Sequence, residues 1–283
     1  MNRSAVLLLG CAACTTAGGT GRPEAGDAPR LAWGVARPEG AVRYIVADTG
    51  ALTMSIPGMG EAPVDIRSEV TADLAFERER EGGLRVTATV TALSGSFASP
   101  AGAPITAGPQ DVPPPAVLRV SPQGVVTLAD DVRFAGALAQ VTSPGALYRS
   151  FFVRLPADVV SRGSTWTDTV RTAEEQAGMT SRMTQVVRST WARDTVLDGR
   201  PVIVITSDIT TEIELSGSNQ GVEVEQRMSG SSSAVALWDP AQGVLVERTE
   251  RGTSSGSADL PGLNMNGIPV NASSRQVVRR IPH

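Results

Sequence analysis

Lysine is missing altogether: all 25 basic residues among the 283 are arginine. That excludes every mechanism built on a lysine amine, from Schiff bases to the phosphate-gripping P-loop and the Ser-x-x-Lys acylases. The sole histidine, His283, is the last residue, where a chain end is usually frayed and makes a poor general base. Both cysteines, Cys11 and Cys14, lie near the N-terminus, so the rest of the chain can form no internal disulfide, thiolate nucleophile or cysteine metal site. With these ligand types gone, a transition-metal site would have to be all-oxygen, and neither a metal nor any other cofactor is expected. Aromatics supply 4% of the chain, too few for the sugar-stacking walls of a typical glycosidase cleft. The basic residues do not cluster and the net charge is −4, which gives no reason to expect a nucleic-acid partner.

What remains is ordinary globular material. The apolar share of 41% is enough for a core, dominated by Val, Ile, Leu and Ala. The length suits one large or two small domains.

The N-terminus, Met1-Asn2-Arg3-Ser4-Ala5-Val6-Leu7-Leu8-Leu9-Gly10-Cys11, has one positive charge, a short apolar run and a small residue. This is the pattern of an export signal, and the run is too short to span a bilayer. Leu8-Leu9-Gly10-Cys11 resembles the lipobox of bacterial lipoproteins, a resemblance that implies cleavage before Cys11 and a diacylglyceryl group on its thiol. The apolar region is short for that family. Residues 1–10 are therefore expected to be a signal peptide, and the mature protein an envelope lipoprotein on the outer membrane facing the periplasm. The alternative is a signal cleaved after Ala17, releasing a soluble periplasmic or secreted protein. Residues 11–40, rich in Gly, Pro, Ala and Thr, read as a tether, with Trp33 a candidate start of the ordered part.

From 41 to 281 the pattern is a period of two, and the expected fold class is all-β with minor α. Leu84, Val86, Ala88, Val90 and Ala92 share one face of a strand after Gly82-Gly83. Met179 to Trp191 and Val202 to Ile209 flank Asp198-Gly199, a two-residue hairpin signal. Val222 begins another strand, and Ala234–Trp238 and Val244–Val246 form a further hairpin. Gly82-Gly83 matches Asp198-Gly199, and the turn at 121–124 matches 239–243, at offsets of 116–119 residues. Two similar antiparallel meander halves, 41–130 and 162–281, forming one open half-barrel or two, follow from this echo.

Between them, over about 137–156, lies the one helical candidate. Ser143-Pro144 suits a helix start, Leu147, Tyr148, Phe151 and Phe152 fall at helical spacing, and Pro156 ends it. These four side chains are the candidate ligand-lining residues, or else a plug of the half-barrel's core.

Phe151-Phe152-Val153-Arg154-Leu155-Pro156 followed by Arg162-Gly163-Ser164-Thr165-Trp166 resembles a junction in a family of uncharacterised bacterial lipoproteins, where a Leu-Pro step precedes a Gly-x-x-Trp strand opening the second half. The order of strands and helix is also loosely similar to the LolA/LolB-like and mycobacterial lipid-binding lipoproteins. That resemblance implies a half-barrel with helices across its concave face and a lipid ligand, and it carries over no binding residue.

Chemistry is scarce. Gly252-Thr253-Ser254-Ser255-Gly256 fits the nucleophile-elbow string but lies in a Ser/Gly-rich stretch of a β-protein, where it reads as a loop. Asp130-Asp131, Asp168 and Asp239 read as solvated turn carboxylates rather than a Ca²⁺ loop. The expectation is a non-enzymatic protein, held to the membrane by a lipid anchor on Cys11 and binding an apolar ligand; the rival is an envelope assembly partner with no small ligand, and a carboxylate-dependent hydrolase is a third class.

Overall fold

The computed structural model describes residues 31–33, 40–56, 58, 60–79, 82–98, 104–129, 132–176, 178–219 and 222–282. Cys11, Cys14, Asp130, Asp131 and His283 lie outside them. The described chain forms one open antiparallel sheet of 12 strands, not closed into a barrel. The strands are β1 (Ala41–Ile56), β2 (Gly60–Arg78), β3 (Leu84–Ala98), β4 (Ile105–Ala107), β5 (Ala116–Val120) and β6 (Val126–Leu128). After two short helices, α1 (Leu138–Val141) and α2 (Pro144–Ser150), come β7 (Thr165–Gln176), β8 (Met179–Leu197), β9 (Arg200–Asn219), β10 (Val222–Asp239), β11 (Val244–Leu260) and β12 (Met265–Ile281). Their order across the sheet is β6-β5-β3-β2-β1-β12-β11-β10-β9-β8-β7, with β4 on β3.

This order has the two expected meander halves laid side by side and running the same way. β1 starts one half and pairs with β12, the last strand of the other. The halves join into a single sheet, so the body is one half-barrel and not two. The second half is the more regular: its strands run 12–20 residues, and β10, at 18, spans about 60 Å. The first half frays into β4 to β6, of three to five residues each. Where β11 continues into β12, β6 instead leaves the sheet for the helices.

Two sequence expectations change in detail. Val222–Val224 and Ala234–Trp238 belong to one strand, β10, carried through Ser229-Gly230-Ser231. Gly252 to Ser255 and Gly256 lie inside β11, not in a loop. Register explains both. Gly230, Gly252 and Gly256 sit on the inner face, where neighbouring strands approach so closely that a Cβ at Gly256 would meet Arg227 O and one at Gly252 would meet the Ser232 side chain. Small residues there let a long sheet curl without breaking.

The helical connector is shorter than its aromatic spacing predicts. Pro144 holds Ser143 extended (φ −97°, ψ 156°), so α1 and α2 are separate pieces, and the Ser143 hydroxyl accepts from the Ala146 amide at 3.1 Å as N-cap. α2 stops at Ser150. Phe152 to Pro156 then run without helix, which lets Phe151, Phe152 and Val153 all be buried in succession.

Strand alternation carried through the register defines the inner face. Val42, Tyr44 and Val46 of β1, Leu74 and Phe76 of β2, Trp191 of β8, Ile203 and Ile205 of β9, Trp238 of β10 and Val278 of β12 point to it, at the end of the sheet that carries the Asp198-Gly199 turn. This is the near end. It is closed by the connector and by Leu31 and Trp33, which are fully buried in the same core. Trp33 stacks edge-on against Trp238 (4.6 Å) and Phe152 (4.9 Å), and its indole N–H donates to Val153 O at 2.9 Å.

Candidate functional site

The four aromatic and aliphatic residues singled out on the connector all lie in the near-end core. Tyr148 and Phe151 have no exposure, Phe152 has 3% and Leu147 5%. Phe151 packs against Tyr44, 5.8 Å between ring centres, and Tyr148 against Phe134 at 6.2 Å. Tyr44 Oη donates to Leu245 O at 2.7 Å, and burial pushes its phenol upward from the ordinary value. Tyr148 Oη, equally buried, has no hydrogen-bond partner among the described residues, and burial pushes its pKa up to about 12.

The open space is on the other side of the same helix. A cavity of about 360 Å³ lies between α1–α2 and the inner face of β7, β8 and β9. The helical wall is Ala139, Thr142, Ser143, Ala146 and Arg149. The sheet wall is Thr172 and Glu174 of β7, Met179, Ser181 and Met183 of β8, and Leu215 of β9. The register puts these six on one face, because Thr172 opposes Met183, Glu174 opposes Ser181 and Met183 opposes Ile213. Arg149 and Glu174 form an ion pair across the cavity from connector to sheet. Gly145 makes room for it: a Cβ there would collide with the Glu174 carboxylate and the Arg149 guanidinium. A second clasp, Arg154 Nε to Asp168 Oδ2 at 2.5 Å, fixes the chain beyond α2 to the start of β7. Trp166 adds to it, donating from Nε1 to Arg154 O at 3.3 Å.

Beyond the cavity, the far end of the inner face has a different chemistry from the near end. Met228, Ala258, Ile268 and Val270 are buried there, with Leu52, Met54, Ile56, Ile213, Leu260 and Met265 half-buried around them. Every methionine among the described residues (54, 179, 183, 228, 265) is at this end. Between the two ends runs a polar row across the sheet. Gln276 Nε2 donates to Asp48 Oδ1 (2.9 Å), Ser232 donates to Glu250 Oε1 (2.8 Å), Arg248 pairs with Glu250, and Ser189 and Ser207 share a hydrogen bond (2.8 Å). Burial raises the Asp48 carboxyl above its ordinary range; its bonds to Gln276 and Ser68 and the charge of Arg248 oppose this, and Glu250 adds to it.

The remaining candidates have structural positions. Asp168 is the partner of Arg154. Asp239 is 3% exposed, buried and not solvated as expected, and its Oδ1 accepts from the amides of Ala241 (2.9 Å) and Gln242 (3.0 Å), building the turn before β11. A second concavity, of about 330 Å³, opens at the near-end rim between Trp191, Ile203, Pro201 and Pro240.

Sequence reasoning missed Met179, Met183, Leu215, Arg149 and Glu174. The signal available was the inward set of the β7–β8 hairpin, whose even positions in β7 and odd positions in β8 mix methionines with a charge. No protein-family model matches the chain, and no curated protein matches it in sequence.

Proposed function

We propose that the protein is a non-enzymatic envelope lipoprotein that holds the apolar part of a lipid or similar amphiphile against the inner face of its half-barrel. The observation that carries this is the cavity between α2 and the ends of β7–β9, walled by Met179, Met183 and Leu215. Its volume is at the small end of ligand pockets, about 300–1,000 Å³, and suits a segment of acyl chain. Methionine is the side chain that repacks most readily around varied apolar shapes, and all the described methionines are on this side. The Arg149–Glu174 pair gives the same wall a polar anchor for a headgroup. In this reading the aromatic near end is scaffold, and Cys11 with its lipid holds the domain to the membrane.

Native mass spectrometry of the full chain, purified from membranes in a mild detergent, tests this directly. The expected spectrum carries co-purified lipid, and its peptide map begins at a diacylglyceryl-modified Cys11. Met183→Trp and Leu215→Trp fill the cavity and should lower uptake of a fluorescent fatty acid about tenfold or more, as expected when a wall closes on a small pocket, with circular dichroism unchanged. A chain that carries no lipid and binds no probe overturns the proposal, and so does one in which both tryptophan variants bind as the parent does.

A further inference from the structure

The two edges of the sheet are unlike. One is β6, three residues long and followed at once by the connector. The other is β7, 12 residues long, paired among the described residues on one side only, to β8. A long edge is a template for another strand unless it is guarded by a bulge, a proline or charges that a partner strand would leave unmatched, lysine above all. β7 has no bulge in its pairing with β8, and Thr165–Gln176 contains no proline and no lysine. Its inward charges, Asp168 and Glu174, are neutralised within the molecule by Arg154 and Arg149. The start of β7 is tied to the connector through Trp166 and Asp168; further along only the inward Glu174 side chain is held, by Arg149, which leaves the backbone edge of Val170–Gln176 to pair.

We propose that Val170–Gln176 of β7 is a homodimer edge, pairing antiparallel with the same stretch of a second copy about a two-fold axis at Ala173. The charges select the partner and the register. On the outer face Arg171 and Glu175 are exposed and make no ion pair among the described residues. With Ala173 on the axis, Arg171 of each copy lies directly opposite Glu175 of the other, giving two reciprocal pairs. Thr172 then faces Glu174 on the inner side and Val170 is opposite Gln176 in register, with no like charges opposed. Moving the axis to Arg171 would oppose the two Arg171 side chains, a destabilising arrangement. A two-fold edge pairing is isologous, so it ends at a dimer and continues the sheet to 24 strands, 12 from each copy, without a free β7 on either. The proposal does not rest on the ligand reading: its ion pairs are on the outer face and its hydrogen bonds on the backbone edge, although Thr172 and Glu174 of the cavity wall come opposite each other on the inner face.

Sedimentation of the full chain in mild detergent should show a reversible dimer. Arg171→Glu places Glu opposite Glu175 twice and should weaken it about tenfold or more, by the cost of directly opposed like charges. Arg171→Glu combined with Glu175→Arg should restore it to within about threefold of the parent. Independently, Ala173→Cys should oxidise to a Cys–Cys dimer, because residues opposed on the axis have Cα atoms about 4.5–5.5 Å apart, within disulfide reach. Peptide mapping identifies the 173–173 link and separates it from any adduct of Cys11 or Cys14, and Thr167→Cys, outside the pairing, should give none. A chain that stays monomeric to about 100 μM, where even weak transient interfaces assemble, overturns the proposal. A dimer indifferent to Arg171→Glu and giving no 173–173 link overturns it equally.

Discussion

The near and far ends of the inner face are built from the same alternating strands, yet they are different interiors. The near end holds Trp33, Tyr44, Tyr148, Phe151 and Trp238, all with 0–1% exposure, interlocked through edge-on and tilted ring contacts and roofed by the connector. The far end holds methionines and aliphatics, many of them only half-buried, and α1–α2 reach only its β7–β9 side, over Met179 and Met183. Rings with two rotatable bonds lock a single arrangement, whereas the unbranched thioether fits many. A half-barrel whose two ends differ in this way has its stability at one and its adaptability at the other.

Truncation of one buried side chain at each end should expose that difference with the largest effect on stability. Phe151→Ala, in the closed end, is expected to cost about 3–5 kcal/mol, because the aromatic neighbours cannot collapse into the hole. Met228→Ala is expected to cost about 2 kcal/mol, the low end of the range for such a truncation, since the half-buried side chains of its cluster can close part of the space. Denaturant unfolding of the two variants measures both. Equal losses would mean that the far end is as rigid as the near one.

Within the near end itself one group is out of keeping with the rest. Tyr148 buries a hydroxyl without a partner, which costs stability compared with an apolar ring of the same shape. Tyr148→Phe should therefore raise the unfolding free energy by about 1 kcal/mol, the lower part of the range for a buried unsatisfied group. A variant that melts lower than the parent would show that the hydroxyl is bonded in solution, and the near end would then be polar at its centre.

How far these features could be read from the chain follows from what each signal encodes. The Asp198-Gly199 turn was legible because a two-residue type I′ hairpin needs positive φ at both positions; they are 49° and 75°, between Leu197 and Arg200 as paired neighbours. The alternation of Leu84, Val86, Ala88 and Val90 gave an inner face directly, and all four are buried; Ala92, expected on the same face, is exposed, because a bulge after Val90 turns Leu93 inward in its place. Strand length was less legible: Ser, Gly and Thr usually signal loops, and in β10 and β11 they are instead what a tightly curled inner face requires. Trp33, placed at the border of the tether, is in the centre of the core because its partners Trp238 and Val153 are remote in sequence. The cavity was illegible for a further reason. Periodicity tells which residues share a face, and helical spacing tells which side of α2 is apolar. Neither tells that the polar side, with Arg149, would stand over a methionine wall contributed by β8.

The polar row between the two ends offers the subtlest test of the comparison, and it turns on Asp48. This carboxyl faces Ser68 of β2, Gln276 of β12 and the Arg248–Glu250 pair of β11, and burial raises it above the ordinary value of 3.8. A raised folded-state pKa means that the native state holds a proton the unfolded chain has already released. Stability is then highest below pH 3.8, falls as pH rises from there through the folded pKa, and levels off above it. Ionised Asp48 is thus a cost at neutral pH, which the row tolerates because Gln276 and Ser68 partly satisfy it. Asp48→Asn keeps the shape and removes the charge. Its melting temperature should match the parent's in acid and exceed it by a margin that opens as pH rises toward 7. Thermal scans of both chains across that interval decide the matter. A margin opening in favour of the aspartate would mean that Arg248 outweighs burial at this site, and that the row is a charge-stabilised seam rather than a buried polar divide between a rigid end and an adaptable one.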